Sequence, residues 1–268
     1  MKICPKCKTE LPDVARFCFH CGEPQRVSSR SAPPEEPAWR DDPVTYFVEA
    51  FMKTLRQRVA EEQGEEHHPL YNERLYQSGF RDTLQRRAEQ FGQRAAGITD
   101  GRKVRRQVAE LVDYFQVRHC ADLNQTPWSE AVLKYQGFSL AEIDLFQMAL
   151  DYLDFAHESE TVYTDFLQMP MEKLRTAGQY FLFPEKKERI LLICDQSIMG
   201  TCREGFALTE KALYWKAHLA NPAKVFFSDL REINPEKDWI KINGQFFNAN
   251  PSLNIKMMRL LRAIQRLQ

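Results

Sequence analysis

Two cysteine pairs stand within the first twenty-one residues, Cys4-Pro5-Lys6-Cys7 and Cys18-Phe19-His20-Cys21. Each is a C-x-x-C knuckle, a spacing that lets two thiolates converge on one ion. Two knuckles supply four sulfur ligands, which complete a tetrahedral site and leave no open position for water or substrate. Cys4, Cys7, Cys18 and Cys21 are therefore expected to hold one structural Zn2+. Gly22, after the second pair, can take the positive φ that turns backbone N–H groups toward a thiolate. Lys6 and Lys8 are placed to offset the double negative charge of a four-thiolate centre. His20 is a substitute ligand that a complete cysteine set does not need. A disulfide framework suits the pattern less well, since the chain opens on Met1-Lys2-Ile3-Cys4 with no apolar leader. The same opening predicts a cytoplasmic protein.

These residues resemble the short zinc ribbon found at the N-terminus of many bacterial proteins of mixed function. The resemblance covers residues 1–25. It implies the metal ligands and carries no activity.

The rest of the 268 residues bound the answer more loosely. A hydrophobic fraction of 43% and an aromatic fraction of 12% can build a core. Thirty-seven basic side chains balance thirty-seven acidic ones, which argues against a general polyanion binder and leaves local patches open. No apolar run reaches the ~18 residues a membrane span needs. Cys120, Cys194 and Cys202 are scattered and read as ordinary buried residues.

Past the knuckles the chain turns polar and proline-rich, with Pro33-Pro34-Glu35-Glu36-Pro37. Residues 26–42 are expected to be a disordered linker, with Trp39 its one apolar anchor. Residues 43–179 read as an α-helical domain. Asp42 is an N-cap and Pro43 a first-turn residue. Val44, Phe47, Val48, Phe51, Met52, Leu55 and Val59 then keep helical spacing up to Gly64. A second stripe runs Tyr76, Phe80, Leu84, Ala88, Phe91 and Ala95, and a third Val104, Val108, Leu111, Val112 and Phe115. Thr126-Pro127 opens a short helix carrying Trp128, Ala131 and Val132. Ser139-Leu140-Ala141-Glu142 has the form of a capping box, opening a helix with Ile143, Phe146, Leu150 and Leu153 inward.

From residue 180 the period shortens. Ile190–Cys194 is an apolar strand, Gly205–Leu208 and Ala212–Trp215 form a hairpin, and Val225-Phe226-Phe227 is a further strand. Asn243-Gly244 joins two more short strands in a tight turn. Asn250-Pro251 caps a last helix with Leu253, Met257, Leu260, Leu261, Ile264 and Leu267 on one face. Lys256, Arg259, Arg262 and Arg266 fill the other, which is expected to be a solvated face. Short antiparallel strands closed by one C-terminal helix resemble the bacterial pleckstrin-homology-like, or GRAM-like, domain. The segment Gly205–Trp215 is similar to a hairpin of that fold, and the resemblance covers residues 180–268. It implies a strongly bent sheet whose open end the helix plugs. The whole chain is thus expected to be a multi-domain α+β protein: a zinc ribbon, a linker, a helical domain, and a sheet closed by a helix.

Candidate chemistry is thin. Asp154 and His157 have the three-residue spacing of a di-metal carboxylate site, but His157 also continues an apolar stripe and reads more simply as a core histidine. Glu65 and His68 share the spacing between two helix breakers, Gly64 and Pro69. Cys194 lies inside an apolar strand, where a thiol is inert. Cys202 and Cys120 have no obvious base. No phosphate loop, H-E-x-x-H or G-x-S-x-G occurs. The loop Ser197–Arg203 offers one arginine, too few for an anionic lipid headgroup. Lys6, Lys8 and Arg16 near the knuckles and Arg102, Lys103, Arg105 and Arg106 farther on are candidate nucleic-acid contacts, with Phe17 and Phe19 able to stack. Residues 136–168 contain no Lys or Arg and seven acidic side chains, from Glu142 to Asp165. Such a face repels phosphates and suits a basic protein partner, or a second copy of this chain. The sequence therefore points first to a non-enzymatic zinc-binding adaptor that works through protein–protein contacts. Nucleic-acid-associated regulation comes second, and membrane-lipid binding is a lesser alternative.

Overall fold

In the computed structural model, residues 2–4, 6–11, 20–21, 38–98 and 100–268 are described. The chain divides into two compact units, residues 1–41 and 42–268.

In the first unit, β1 (Lys2–Ile3) pairs antiparallel with β2 (Glu10–Leu11), with Ile3 opposite Glu10. A 3-10 turn spans Ala38–Arg40, and Trp39 within it is buried. Much of the expected linker, residues 26–37, lies outside the described residues.

The second unit opens as its sequence dictates. Asp42 accepts a hydrogen bond from the Thr45 N–H at 3.0 Å, Pro43 follows, and α1 (Pro43–Gln63) runs until Gly64. Then come α2 (His68–Gln77), α3 (Phe80–Arg94) and α4 (Gly101–His119). The second apolar stripe is not one helix. Gly79 takes φ 70°, a left-handed conformation that ends α2 and redirects α3. Tyr76, on the far side of that break, is exposed. Phe47, Phe51, Leu55 and Val59 of α1 are buried, as are Phe80, Leu84, Ala88 and Phe91 of α3 and Val104, Val108, Val112 and Phe115 of α4.

The segment after Thr126-Pro127 is a 3-10 helix, Glu130–Tyr135, rather than an α-helix. The Ser139–Glu142 capping box closes only a single 3-10 turn. Asp144 caps the true helix, α5 (Leu145–Leu153). That helix stops at Asp154, which takes φ 35°. His157 falls beyond the stop and is exposed, so it is not the core histidine its spacing suggests.

Five strands form one antiparallel sheet in chain order: β3 (Thr161–Tyr163), β4 (Ile190–Asp195), β5 (Gly205–Thr209), β6 (Ala212–Lys216) and β7 (Ala223–Phe226). The helix α6 (Met171–Tyr180) lies between β3 and β4 in sequence. Alternation divides the side chains between two faces. Leu192, Cys194, Phe206, Leu208, Leu213 and Trp215 join the main core. Ile193, Ala207, Ala212 and Tyr214 point the other way and pack with Ala177 of α6. A second antiparallel sheet holds β8 (Ile233–Pro235), β9 (Ile240–Ile242) and β10 (Gln245–Phe247), with β9 central. Asn243 (φ 49°) and Gly244 (φ 79°) make the tight β9–β10 turn. The last helix, α7 (Pro251–Leu267), starts with Asn250 accepting from the Leu253 N–H at 2.7 Å.

The expected division at residue 179/180 does not separate two bodies. β3 is an edge strand of the five-stranded sheet and α6 packs on its second face, although β3 precedes residue 180 and α6 ends there. One core joins Met148, Ala149 and Leu153 of α5 to both sheets and α7. The basic face of α7 explains the rest. It is not solvated: Lys256 and Arg259 are 3% and 5% exposed. Lys256 pairs with Glu158 at 2.6 Å, Arg259 with Glu62 at 2.6 Å, Arg262 with Glu61 at 2.6 Å and Arg266 with Asp113 at 2.7 Å. Arg58 of α1 holds the other oxygen of Asp113. The apolar face of α7 thus packs on the sheets while its cationic face ties it to α1, α4 and the segment after α5.

Removing one member of a buried pair strands the other and costs about 3–5 kcal/mol. Glu62→Ala should lose stability of that order in urea unfolding. Arg262→Ala, at a partly exposed pair, should lose about 1 kcal/mol or less. Both variants should unfold residues 42–268 in one transition. A separate early transition for the helices would show that α7 does not bind them into one unit.

Glu158 adds a pH dependence. Burial opposes its ionisation, but hydrogen bonds from Lys256, Ser252 and Asn250 outweigh burial and hold its carboxyl below the ordinary value. A depressed carboxyl stabilises the fold above its unfolded pKa, and that contribution is lost as pH falls through the folded one. The loss should therefore begin below about pH 4.3. Glu158→Gln should be less stable at pH 6 and lose less between pH 6 and pH 3. Parallel urea midpoints for the two proteins across that range would remove Glu158 as a source.

Candidate functional site

The first knuckle is built by the β1–β2 hairpin. The Cys4 N–H donates to the Thr9 carbonyl at 2.9 Å, and the Lys8 N–H donates to the Cys4 carbonyl at 3.0 Å. Lys8 takes φ 62°, the left-handed position that closes this turn. Glycine is the usual occupant of such a position, so its place here was not marked in the sequence. The Cys7 sulfur lies 3.1 Å from Thr9 Oγ1, a neighbour that ligand spacing alone did not suggest.

Three of the four expected ligands come together. Cys4 is buried, Cys7 and Cys21 are half-buried, and their sulfurs all lie within 4.8 Å of one another. The Cys4 and Cys21 sulfurs are 3.7 Å apart. Two sulfurs bound at about 2.3 Å to a tetrahedral ion stand about 3.8 Å apart, so this separation fits a shared metal. The backbone N–H of Cys7 points at the Cys4 sulfur and holds its thiol below the ordinary value, against the opposing effect of burial. Cys18 and Gly22 lie outside the described residues. An all-thiol donor set suits a soft or borderline ion.

The other cysteines are sealed in the second unit. Cys120, Cys194 and Cys202 are each fully buried. Burial pushes the thiols of Cys120 and Cys202 up to about 12, with Asp195 adding to the effect on Cys202, and it pushes Cys194 up as well. None is a ready thiolate at neutral pH. Asp154 and His157 sit past the end of α5, so no continuous helix presents them together. Glu65 lies in a 3-10 turn and pairs with Arg56, while His68 begins α2.

The candidate nucleic-acid contacts separate into groups. Lys6 and Lys8 are exposed beside the thiols, and Arg16 lies outside the described residues. At the start of α4, Arg102 folds back on Asp100, with Nε 3.1 Å from its carboxylate. Arg106 is built into the fold, bonding Glu110 at 2.8 Å and the Phe138 carbonyl. Lys103 and Arg105 are exposed. The acidic run also has internal uses. Glu142 and Asp144 cap their own turns, Asp151 takes Lys134 at 2.6 Å, and Glu158 takes Lys256.

Two loops at one end of the five-stranded sheet carry exposed apolar tips. Asp195, Gly205 and Lys216 stand in register there, so the β4–β5 and β6–β7 loops leave from the same end. His218 Nδ1 meets the Glu204 carboxylate at 2.9 Å and links the two loops. At their tips Ile198, Met199 and Leu219 are 89%, 83% and 91% exposed. The loop's one arginine, Arg203, lies over the Tyr180 ring at 5.3 Å.

Comparison with protein-family models, with curated proteins and with solved structures finds no match to this chain. Among the described residues, no helix is long and apolar enough to cross a membrane.

With the folded chain at pH 8, a thiol reagent should leave Cys120, Cys194 and Cys202 unlabelled until denaturant is added. Peptide mapping that found Cys202 labelled as fast as an open thiol would contradict its burial.

Proposed function

We propose that this chain is a non-enzymatic zinc-binding adaptor. Cys4, Cys7, Cys18 and Cys21 hold one structural Zn2+, and a second, larger unit presents a surface to a protein partner. The zinc reading is supported by the sulfur spacing of Cys4 and Cys21 and by the position of Cys18 in the second knuckle. When bound, the ion would supply cross-linking rather than a reactive water, because four thiolates fill its coordination.

The observation that carries the adaptor reading is the set of exposed apolar loop tips at one end of the sheet. Ile198, Met199 and Leu219 stand almost fully in water on linked loops, and exposed apolar tips of this kind favour contact with another molecule. The second unit is also in keeping with a pleckstrin-homology-like arrangement: two antiparallel sheets and a closing helix. It departs from that pattern in the added edge strand β3 and in α6, which covers the second sheet face.

Nucleic-acid association is the second reading, favoured by exposed Lys6, Lys8, Lys103 and Arg105. Binding of that kind must weaken steeply with salt as counterions are released, whereas an apolar-centred protein contact depends on salt far less. Lipid binding draws on the same loop tips but has little cationic support, since Arg203 is engaged with Tyr180.

The test is affinity capture from native lysate, with and without nuclease. It uses the wild type, Cys18→Ser and Ile198→Asp/Leu219→Asp, with metal content measured on each. Wild type should carry one zinc per chain and Cys18→Ser markedly less. A protein retained through nuclease and high salt, then lost with the loop variant, supports the adaptor reading. Partners lost on nuclease treatment would replace it with nucleic acid, and loop-dependent binding to anionic vesicles alone would replace it with lipid.

A further inference from the structure

The helices of the second unit leave a hole between them. α3 and α4 each pack on α1 far more than on one another. At one end Phe80 of α3 meets Tyr114 and Phe115 of α4, with ring centroids 6.1 and 4.9 Å apart. At the other end the short connection between the two helices brings in Ile98. Between these closures lies a cleft of about 450 Å³, within the ~300–1,000 Å³ range of small-molecule sites.

The cleft has a defined chemistry. Phe47 and Phe91, buried and 5.2 Å apart between ring centroids, form its floor. Leu111 and Tyr114 make an apolar wall. Arg87 and Arg94 line it from α3, one above the other at helical spacing, and both are exposed. Neither has an ion-pair partner among the described residues. The lining contains one carboxylate, Glu110, and its Oε1 is already held by Arg106 Nε at 2.8 Å and the Gly137 N–H at 3.2 Å. Two guanidinium groups therefore line a cleft with an aromatic floor and a rim of Thr83, Gln90, Gln107 and Gln136, and its one carboxylate is already paired with Arg106.

We propose that this cleft binds a small organic anion, with a flat apolar body against Phe91, Leu111 and Tyr114 and a carboxylate or phosphate held by Arg87 and Arg94. Guanidinium groups suit both headgroups through paired N–H donors. The inference is independent of the zinc knuckles and of the loop tips on the sheet.

The test is isothermal titration of the full-length chain with three probes that share one body: 1-naphthyl phosphate, 1-naphthoate and the uncharged 1-naphthalenemethanol. The expected result is saturable binding of both anions at one site, at least ~10-fold tighter than the alcohol, a difference on the scale of one charge-assisted contact. The tighter of the two anions identifies the headgroup. Arg87→Glu and Arg94→Glu should each weaken the anions by about 10-fold and leave the alcohol unchanged. Gln107→Trp, a rim substitution at an exposed position, should fill the mouth and weaken all three. Melting curves check that each variant is folded. Absence of saturation into the millimolar range, equal affinity for alcohol and anions, or wild-type affinity in both glutamate variants would overturn the proposal.

Discussion

The guanidinium of Arg259 carries five N–H donors, and the surroundings of that group decide how the chain is put together. Nε and Nη2 reach the Glu62 carboxylate. Nη1 and Nη2 reach the carbonyls of Thr126 and Pro127 at 3.0–3.2 Å. The Trp128 ring lies 4.1 Å beneath. A buried cation is tolerated only when its donors are met in this way. The partners come from α1 and from the segment after α4, so α7 can close the sheets only while it is also docked on the helices. Lys256, Arg262 and Arg266 repeat the arrangement along the same face, each with its own carboxylate. Such pairs add little net stability over well-packed apolar groups. Their effect is on orientation: turning α7 about its axis would take all four cations away from their carboxylates at once.

That arrangement marks the limit of what could be read from the sequence. Signals that act within a few residues were legible. The Asp42 and Asn250 caps, the Gly64 stop, the Asn243-Gly244 turn and the short apolar runs of β4–β6 all depend on neighbouring residues. The apolar face of α7 was legible for the same reason. Its basic face was not, because Glu62 stands 197 residues from Arg259 in the chain. A row of cations at helical spacing is the same string whether water or carboxylates lie opposite. The break at 179/180 failed similarly. It followed a change of period, but β3 is three residues long and too short to declare one, and α6 is an ordinary amphipathic helix whose sheet partner lies farther on.

The cysteines show the converse. Two knuckles are a local pattern, so the ligand set was readable by spacing, and the sulfurs of Cys4, Cys7 and Cys21 converge within 4.8 Å. The supporting geometry was harder to see. Lys8 takes the left-handed turn position without being a glycine, and Thr9 comes within reach of Cys7 only through the hairpin. The inertness of Cys194 followed from its apolar strand. Cys202 sits in a polar-looking loop, yet it is sealed because its backbone, at φ 55°, turns back over Asp195 and Ser197.

Charge use separates the parts of this protein that hold the fold from those free to act on something else. Glu61, Glu62, Asp113 and Glu158 are consumed by α7, and Glu110 is consumed by Arg106, so a neutral total conceals an internal pairing that leaves particular cations over. Arg87 and Arg94 are left beside an apolar floor, and Lys103 and Arg105 remain at the surface. In the cleft the one carboxylate of the lining is paired with a side chain four residues earlier on its own helix, an i,i+4 pair that α4 makes for local reasons. The lining thus carries two cations against one carboxylate, and Arg106 keeps that carboxylate in a local pair.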